Sequence, residues 1–477
     1  METLQRTANR GSVSTGYDVD NSAVFEADDS SYIRFTNIST YYSSARAKKF
    51  SNSVWIKQTE LGKTNNMILS YAQNGYLEFS STGELKFLMA FRSGSSGAGT
   101  QKELKSNAKF RDTNAWYHIV VAVDTAQSTE ADRVKLDVNG VQITSWATEQ
   151  YPNQNDESAN VYEQHNYIGT WGGGDHTNTG FCGYVAEFYF LSEIAASPTD
   201  FGEFDEDTGI WKPKEYTAAT ITSPSSYLNF SNASNLAEAT SGQDWASGNV
   251  NNVEQATDTC TNNFCTYSPL FIYAYNLTIS QGGQQVFANA ANWQGAKGSV
   301  GLQNGRWYWE VKIPSANNSG FTGIQTVGES NIGSGNAQSN NSTYCRKGDG
   351  GDIFYYGGSE STSTHGGGNM SDNNIIGVFL DLESSTKTLR WFKNGSSYGS
   401  TIGLAAQSTS FTTREVFPFY ANITSGNGAY FNFGGHTSFT ISSAVADSNG
   451  YGAFEYTPND GTYDYYSICT KNLAEFG

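Results

Sequence analysis

The sequence predicts an all-β protein of two antiparallel β-sandwiches joined by a loop-rich connector. Three observations carry this. Aromatic residues reach 14% and Gly numbers 50 against only 28 Lys and Arg, the mixture of aromatic strands and Gly, Asn and Ser turns rather than of helices. Apolar residues alternate in short runs bounded by turn residues, and no long amphipathic helix is visible. At 477 residues the chain exceeds what one hydrophobic core sustains, roughly 250 residues.

Residues 1–15 form an N-terminal segment. The first sandwich is assigned to 16–200, where Ala23-Val-Phe-Glu26 and Tyr32-Ile-Arg-Phe35 flank Asp28-Asp29 as a hairpin. Val54-Trp-Ile56, Met67-Ile-Leu69, Tyr76-Leu-Glu-Phe79 and Leu85-Lys-Phe-Leu88 follow as strands. The clearest pair is Trp116–Val123 with Arg133–Val138, whose second strand passes through Asn139-Gly140 into Val141; Asn-Gly supplies the two positive φ angles of a type I′ turn. Gly183–Leu191 closes the region as a long strand, and Ala195-Ala-Ser-Pro-Thr199 is a short helix or turn. Residues 201–286, rich in Asn, Ser, Thr and Ala, are expected to be a connector packed against its neighbours. A second sandwich is assigned to 287–436, from Gly305–Ile313, Ile375–Leu382 and Leu389–Lys393 ending in Asn394-Gly395. Within it, 328–371 is dominated by Gly, Ser and Asn and marks long surface loops. A C-terminal segment, 437–477, completes the chain. No repeat of 20 to 50 residues is present, which excludes a solenoid.

A formal charge of −18 opposes nucleic acid and anionic membranes, whose phosphates this surface repels. The first residues hold no apolar core of a signal peptide, and no run approaches the roughly 20 apolar residues of a membrane span, so synthesis in a cytoplasm without membrane insertion is expected. Five cysteines, Cys182, Cys260, Cys265, Cys345 and Cys469, lack paired CxxC spacing and are expected to be reduced thiols. Cys260 and Cys265 lie near enough in sequence for a disulfide to remain an alternative.

The first region resembles the laminin-G-like, concanavalin A-type sandwiches of marine bacteriophage structural proteins. The residues that carry this are Ala23–Ile33, Ser53-Val-Trp-Ile-Lys57, Arg111–Asp124, Arg133–Gly140 and Gly183–Glu187, continued by Phe201-Gly-Glu203 and Thr208–Pro213. The second resembles a SPRY domain through Gly305-Arg-Trp-Tyr-Trp-Glu310, Ile376–Asp381, Leu389–Gly395, Phe417-Pro-Phe-Tyr420 and Phe431-Asn-Phe-Gly434. Asp258–Phe264, Tyr451–Tyr456 and Ile468–Leu473 are similar to phage appendage proteins that carry both modules. The resemblance implies a non-enzymatic virion protein, assembled in the host cytoplasm as a tail fibre, tail appendage or capsid decoration and serving host attachment. Its implied partners are other virion proteins, a host-surface protein or glycan, and copies of itself, with a trimer as the homo-oligomer considered.

Concanavalin A-type folds include glycoside hydrolases, so a carbohydrate-active enzyme is the first alternative and a secreted lectin or adhesin the second. Hydrolysis needs two carboxylates on one strand face, which acid-x-acid spacing supplies. Glu203-Phe-Asp205-Glu206-Asp207 has that spacing, yet Glu206 interrupts it and Thr208-Gly209 turns the chain, so an acidic loop is expected and no catalytic residue is assigned. No cofactor is expected; a structural Ca²⁺ at a sheet rim is allowed for, near Asp28, Asp29, Asp175 or Glu203–Asp207, with no ligands assigned. Lys347-Gly-Asp-Gly-Gly-Asp352 is expected to be a hairpin turn. His118 is expected to be packed in a strand, and His165, His176, His365 and His436 lack a nucleophile elbow.

For ligand binding, Trp171 would stack on an apolar ring face and Asp175 accept hydroxyl hydrogen bonds, with His176 in the same Gly-rich loop; the alternative is a flexible Gly turn whose Trp covers the core edge. Tyr344 and Arg346 are candidate anchors within the 328–371 loops, and Tyr355 and Tyr356 candidates for a protein or glycan partner, with an ordinary strand as the alternative for those two. Binding is expected to use loops more than sheet faces, chiefly 171–179 and 328–371.

Overall fold

The computed structural model describes residues 16–36, 38–71, 73–93, 99–159, 165–173, 176, 179–245, 250–273, 276–314, 320–326, 343–347, 353–356, 359–362, 370, 373–407, 410–458 and 463–477. It is all-β, and among these residues the longest α-helix is the seven-residue Thr470–Phe476. The chain divides into two compact units, one holding Val13–Thr261 and the other Asn262–Gly477.

The first unit packs two antiparallel sheets face to face. One runs, from edge to edge, Val141–Gln142, Val134–Val138, Tyr117–Asp124, Lys49–Gln58, Gly183–Ser192, Ser22–Phe25 and Glu254–Ala256. The other runs Trp146–Glu149, Thr100–Lys109, Glu84–Arg92, Gly75–Phe79, Asn66–Tyr71, His165–Ile168, Tyr32–Thr36 and Val250–Asn251. Alternation decides which side chains meet between them: Ile119, Val121 and Val123 face inward with Val54, Ile56, Phe87 and Met89.

The hairpin expected around Asp28-Asp29 is not formed. Ser22–Phe25 and Tyr32–Thr36 belong to opposite sheets, and the 3₁₀ turn Ala27–Asp29 carries the chain from one to the other. Both strands have apolar residues to bury, and placing them on facing sheets sends Phe25, Ile33 and Phe35 into one core. The Asn139-Gly140 turn is as expected, with φ of 50° and 75° and Val141 opposite Val138. The Trp211 ring lies against Gly140 and leaves no room for a Cβ. Gly140→Ala is therefore expected to cost about 2 kcal/mol, from the positive φ and the displaced ring, read as a lower denaturant midpoint of this unit.

The segment set out as a connector divides between the units. Residues 201–261 complete the first: Glu254–Ala256 and Val250–Asn251 add edge strands to the two sheets, and Ser226–Leu228 pairs with Gly183–Ser192. Trp245 enters the main core, 1% exposed, against Phe35 and Phe188. This segment also roofs the outer face of the first sheet, where Trp211 and Ala256 pack on Trp55, Trp116, Tyr184 and Ala186, and Phe201 and Tyr216 on Val120, Tyr189 and Leu191. Its scattered apolar residues each fill a separate gap, so they carry no strand-like period.

The second unit is also a sandwich. A five-stranded sheet runs Tyr267–Tyr273, Gln294–Gly298, Val416–Asn422, Phe321–Thr326 and Thr343–Lys347. It faces a sheet of Leu277–Ser280, Gln285–Ala288, Gly428–Asn432, Arg306–Lys312, Ile375–Asp381, Thr388–Lys393 and Ser396–Ser397. Trp307, Trp309 and Val311 point into the core, while Tyr308 points outward to Phe379, Phe392, Phe454 and Tyr465. The C-terminal segment thus roofs this unit, and its Tyr466–Ser467 pairs in parallel with Arg306–Lys312. Asn394-Gly395 turns with φ of 46° and 76°, the second type I′ turn.

Candidate functional site

Several polar groups that could do chemistry are spent inside the two roofs. On the first sheet's outer face, Lys57 Nζ lies 2.8 Å from Asp258 Oδ2, both side chains wholly buried, and Trp116 Nε1 donates to Asp258 Oδ1 at 3.3 Å. His118 sits between the Trp55 and Trp211 rings. Trp211 Nε1 donates to His118 Nδ1 at 3.0 Å, and since an indole N–H can only donate, Nε2 carries the imidazole proton and donates to Ser53 Oγ at 2.8 Å. Burial lowers the His118 pKa to about 3, so it is a neutral packing residue.

Glu187 occupies a β-bulge with a φ of 49°, and accepts from Tyr17 at 2.7 Å, Tyr227 at 2.8 Å and Tyr189 at 3.3 Å. Burial raises its pKa while the tyrosine hydroxyls oppose the rise. In the second unit, Glu310 accepts from the backbone N–H of Glu455 and Tyr456 at 3.0 and 2.8 Å and from Asn432 Nδ2 at 3.0 Å, fastening the C-terminal roof. Burial pushes Glu310 up to about 7, with these donors pulling it down. A raised carboxylate pKa gives stability that is present below pH 4.5 and lost as pH rises through 7. Buried His436, lowered to about 4, acts in the opposite direction over much of the same range. His436→Asn is expected to unmask Glu310: the second unit should then gain about 3 kcal/mol of stability as pH falls from 7 to 4.5, read by hydrogen exchange within that unit.

The acid-x-acid run is a packed turn. Glu203 and Asp205 lie 3.5 and 3.3 Å from Lys212 on the ribbon of Gly202–Phe204 with Trp211–Pro213. Asp205 also accepts from the backbone N–H of Asp207 and Thr208 and from the Thr208 hydroxyl, which closes the loop.

At the rim near Asp28, one ligand atom each of Glu26, Glu60 and Cys182 lie within 4.8 Å of one another. This set does not fit Ca²⁺, which takes six to eight oxygens. The thiol is pushed well above its ordinary pKa by burial and donates to Glu26 Oε1 at 3.1 Å, and the Lys63 ammonium stands 3.7 Å from both Glu60 and Asp28. A cation is already supplied by the chain. All five cysteines are free thiols, Cys260 and Cys265 included.

Of the expected binding residues, Trp171 is half-buried with its ring laid over Gly173 of its own loop. His176 packs on Tyr32, 4.8 Å between centroids, and on Tyr167 at 5.8 Å. Asp175 lies outside the described residues, as do His365, residues 348–352 of the expected hairpin turn, and most of 328–371. Ile353–Tyr356 pairs with Ser359–Thr362, and the side chains of Tyr355 and Tyr356 lie outside what is described.

Tyr344 and Arg346 are corrected: they are core residues of Thr343–Lys347, 0% and 1% exposed. Tyr344 packs with Trp391 and Phe411; Arg346 lies 3.7 Å over the Tyr398 ring and donates to the Tyr398 carbonyl at 3.0 Å. Neither can anchor a partner. Their alternation in a five-residue strand next to a Gly-rich stretch was too short to separate inward from outward faces.

One open concavity was not anticipated from the sequence. On the first sheet's outer face, beyond the roof, the outward side chains of Lys49, Asp124, Lys135 and Asp137 floor a groove of about 860 Å³, walled by 193–199 and by Gly140 and Gln142. Lys49 pairs with Asp124 at 3.0 Å, Lys135 with Asp132 at 3.0 Å, and the rim residue Glu193 with Arg46 at 3.1 Å. Asp137 is 7% exposed and makes no hydrogen bond or ion pair through its carboxylate among the described residues; burial raises its pKa to about 6, against the pull of Lys135. The outward register of Lys135 and Asp137 follows from alternation in Val134–Val138, whereas the burial of Asp137 does not.

A family model described as the concanavalin A-like lectin/glucanases superfamily matches residues 27–198, and the SPRY domain model matches 306–436. Among solved structures, the SPRY domain of human HERC1 is 16% identical, covers 35% of this chain and 96% of its own, and has a TM-score of 0.29. The TRIM65 PSpry domain is 16% identical over 35% of this chain and 89% of its own, with a TM-score of 0.28. A putative carbohydrate-binding protein from Bacteroides ovatus is 17% identical over 39% of this chain and 46% of its own, also at 0.28. No curated protein matches the chain. The chain therefore carries a laminin-G-like, concanavalin A-type domain followed by a SPRY domain, each a β-sandwich.

Proposed function

We propose that this chain is a non-catalytic recognition protein of a virus particle, a fibre, tail appendage or capsid decoration that contacts neighbouring virion proteins and a host-surface ligand. The observation that supports recognition over chemistry is how the carboxylates are used. Glu187, Asp258 and Glu310 are consumed in fastening the roofs, and Glu203 and Asp205 are held by Lys212. Two sandwiches roofed on an outer face leave rims, loops and the groove as the surfaces on which a partner can be met. The virion setting rests on the resemblance of Ala23–Ile33 and Arg111–Asp124 to the laminin-G-like sandwiches of marine phage structural proteins, and of Asp258–Phe264 and Ile468–Leu473 to phage appendage proteins.

The test is to purify particles, quantify peptides of this chain by mass spectrometry and locate it with a labelled antibody. Stoichiometric, particle-bound signal is expected. Absence from particles, with the protein recovered only from the surrounding medium, would favour a secreted adhesin instead. Polysaccharide turnover by the purified protein would overturn the non-catalytic reading.

A further inference from the structure

We propose that the groove floored by Asp137 binds a short oligosaccharide bearing a free primary amine, with the ammonium set against the Asp137 carboxylate. This rests on the recognition reading above and names a ligand for one part of it. The other acids at the groove, Asp124, Asp132 and Glu193, each have a basic partner, so Asp137 alone leaves one negative charge uncompensated. The Asp137 side chain is largely buried and its carboxylate has no direct partner among the described residues, so part of its hydration is lost without replacement, and a cation arriving in the groove offsets that loss. One ammonium supplies that charge and a hydrogen bond to it.

The rest of the lining selects the kind of molecule that carries the amine. Gln127, Gln142, Ser197 and Thr199 offer neutral donors and acceptors, and Ile194 and Pro198 an apolar wall. Equatorial hydroxyls around the edge of a ring and axial C–H groups on its faces match that division. The volume lies within the range of about 300 to 1,000 Å³ typical of small-ligand sites. A bare metal ion would find one free carboxylate, too few oxygens to hold it.

The experiment is calorimetric titration of the full chain near neutral pH with a glucosamine trisaccharide, its fully N-acetylated counterpart and a lysine trimer. Acetylation removes the charge and leaves the ring and the hydroxyls. The glucosamine trisaccharide is expected to bind at least tenfold more tightly than the acetylated one, and Asp137→Asn to lose that preference. The variant keeps the shape of the side chain and removes a strained charge, so its melting midpoint is expected to hold or rise. Equal affinity for the two trisaccharides, tighter binding of the lysine trimer, or an unchanged preference in Asp137→Asn would each overturn the proposal. If neither trisaccharide binds while the chain is still found on particles, the amine site fails and the recognition reading stands. Absence from particles with Asp137-dependent trisaccharide binding intact would have the opposite meaning.

Discussion

Asp258→Ala is expected to destabilise the first unit by about 3–5 kcal/mol, the range for removing one partner of a buried ion pair. Lys57 and Asp258 are both wholly buried, and Lys57 also lies 5.3 Å from the centre of the Tyr184 ring, so its ammonium has no route to water once the carboxylate is gone. Trp116 Nε1 loses an acceptor in the same change. Replacing both partners, Lys57→Met with Asp258→Leu, should recover most of the loss, because no charge then remains to be desolvated. Urea unfolding of the full chain, with hydrogen exchange to separate the units, gives both numbers. A cost below about 1 kcal/mol for Asp258→Ala would show that water reaches Lys57 and that the roof is not sealed.

The second large effect is acid weakening of the same unit through His118. Its ordinary pKa of 6.5 is lowered to about 3 by burial, so between those values the unfolded chain holds a proton that the native state does not. Stability is full above pH 6.5 and falls as pH decreases, by about 4 kcal/mol near pH 3. His118→Gln, which cannot titrate, is expected to flatten the dependence by up to about 1.4 kcal/mol per pH unit within this window. Parallel slopes for the two proteins would mean that protonated His118 finds water or a counter-charge where the Trp55 and Trp211 rings now stack.

What the sequence disclosed was what repeats. Strands such as Tyr117–Asp124 and Arg306–Lys312 announced themselves by short runs of β-branched and aromatic residues, and Asn139-Gly140 and Asn394-Gly395 by the φ angles that Asn and Gly tolerate. The roofs did not, because Trp211, Phe201, Trp245 and Ala256 each meet a different partner far away in the chain. The same blindness misplaced Asp28-Asp29: two alternating runs close in sequence look alike whether they pair with each other or cross between sheets. In the candidate site, residue type was a fair guide where a side chain had one use, as with His118, and a poor one for Tyr344 and Arg346, which serve a core equally well. Asp137 follows the alternation of its strand as an outward acid, and only the fold shows that it is buried.

The roof of the first unit also sets what can be inherited as a piece. Residues 27–198 fit a recognisable pattern, but a gene fragment limited to them would encode a sheet whose outer surface shows Trp55, Tyr184 and Tyr189 to water and strands Lys57 without its counter-ion. Such a fragment would clump rather than fold, so exchange between genes that cuts near residue 200 should leave no viable descendants. Recombination that moves this module intact has to cut close to Thr261, well beyond the point at which the recognisable pattern ends.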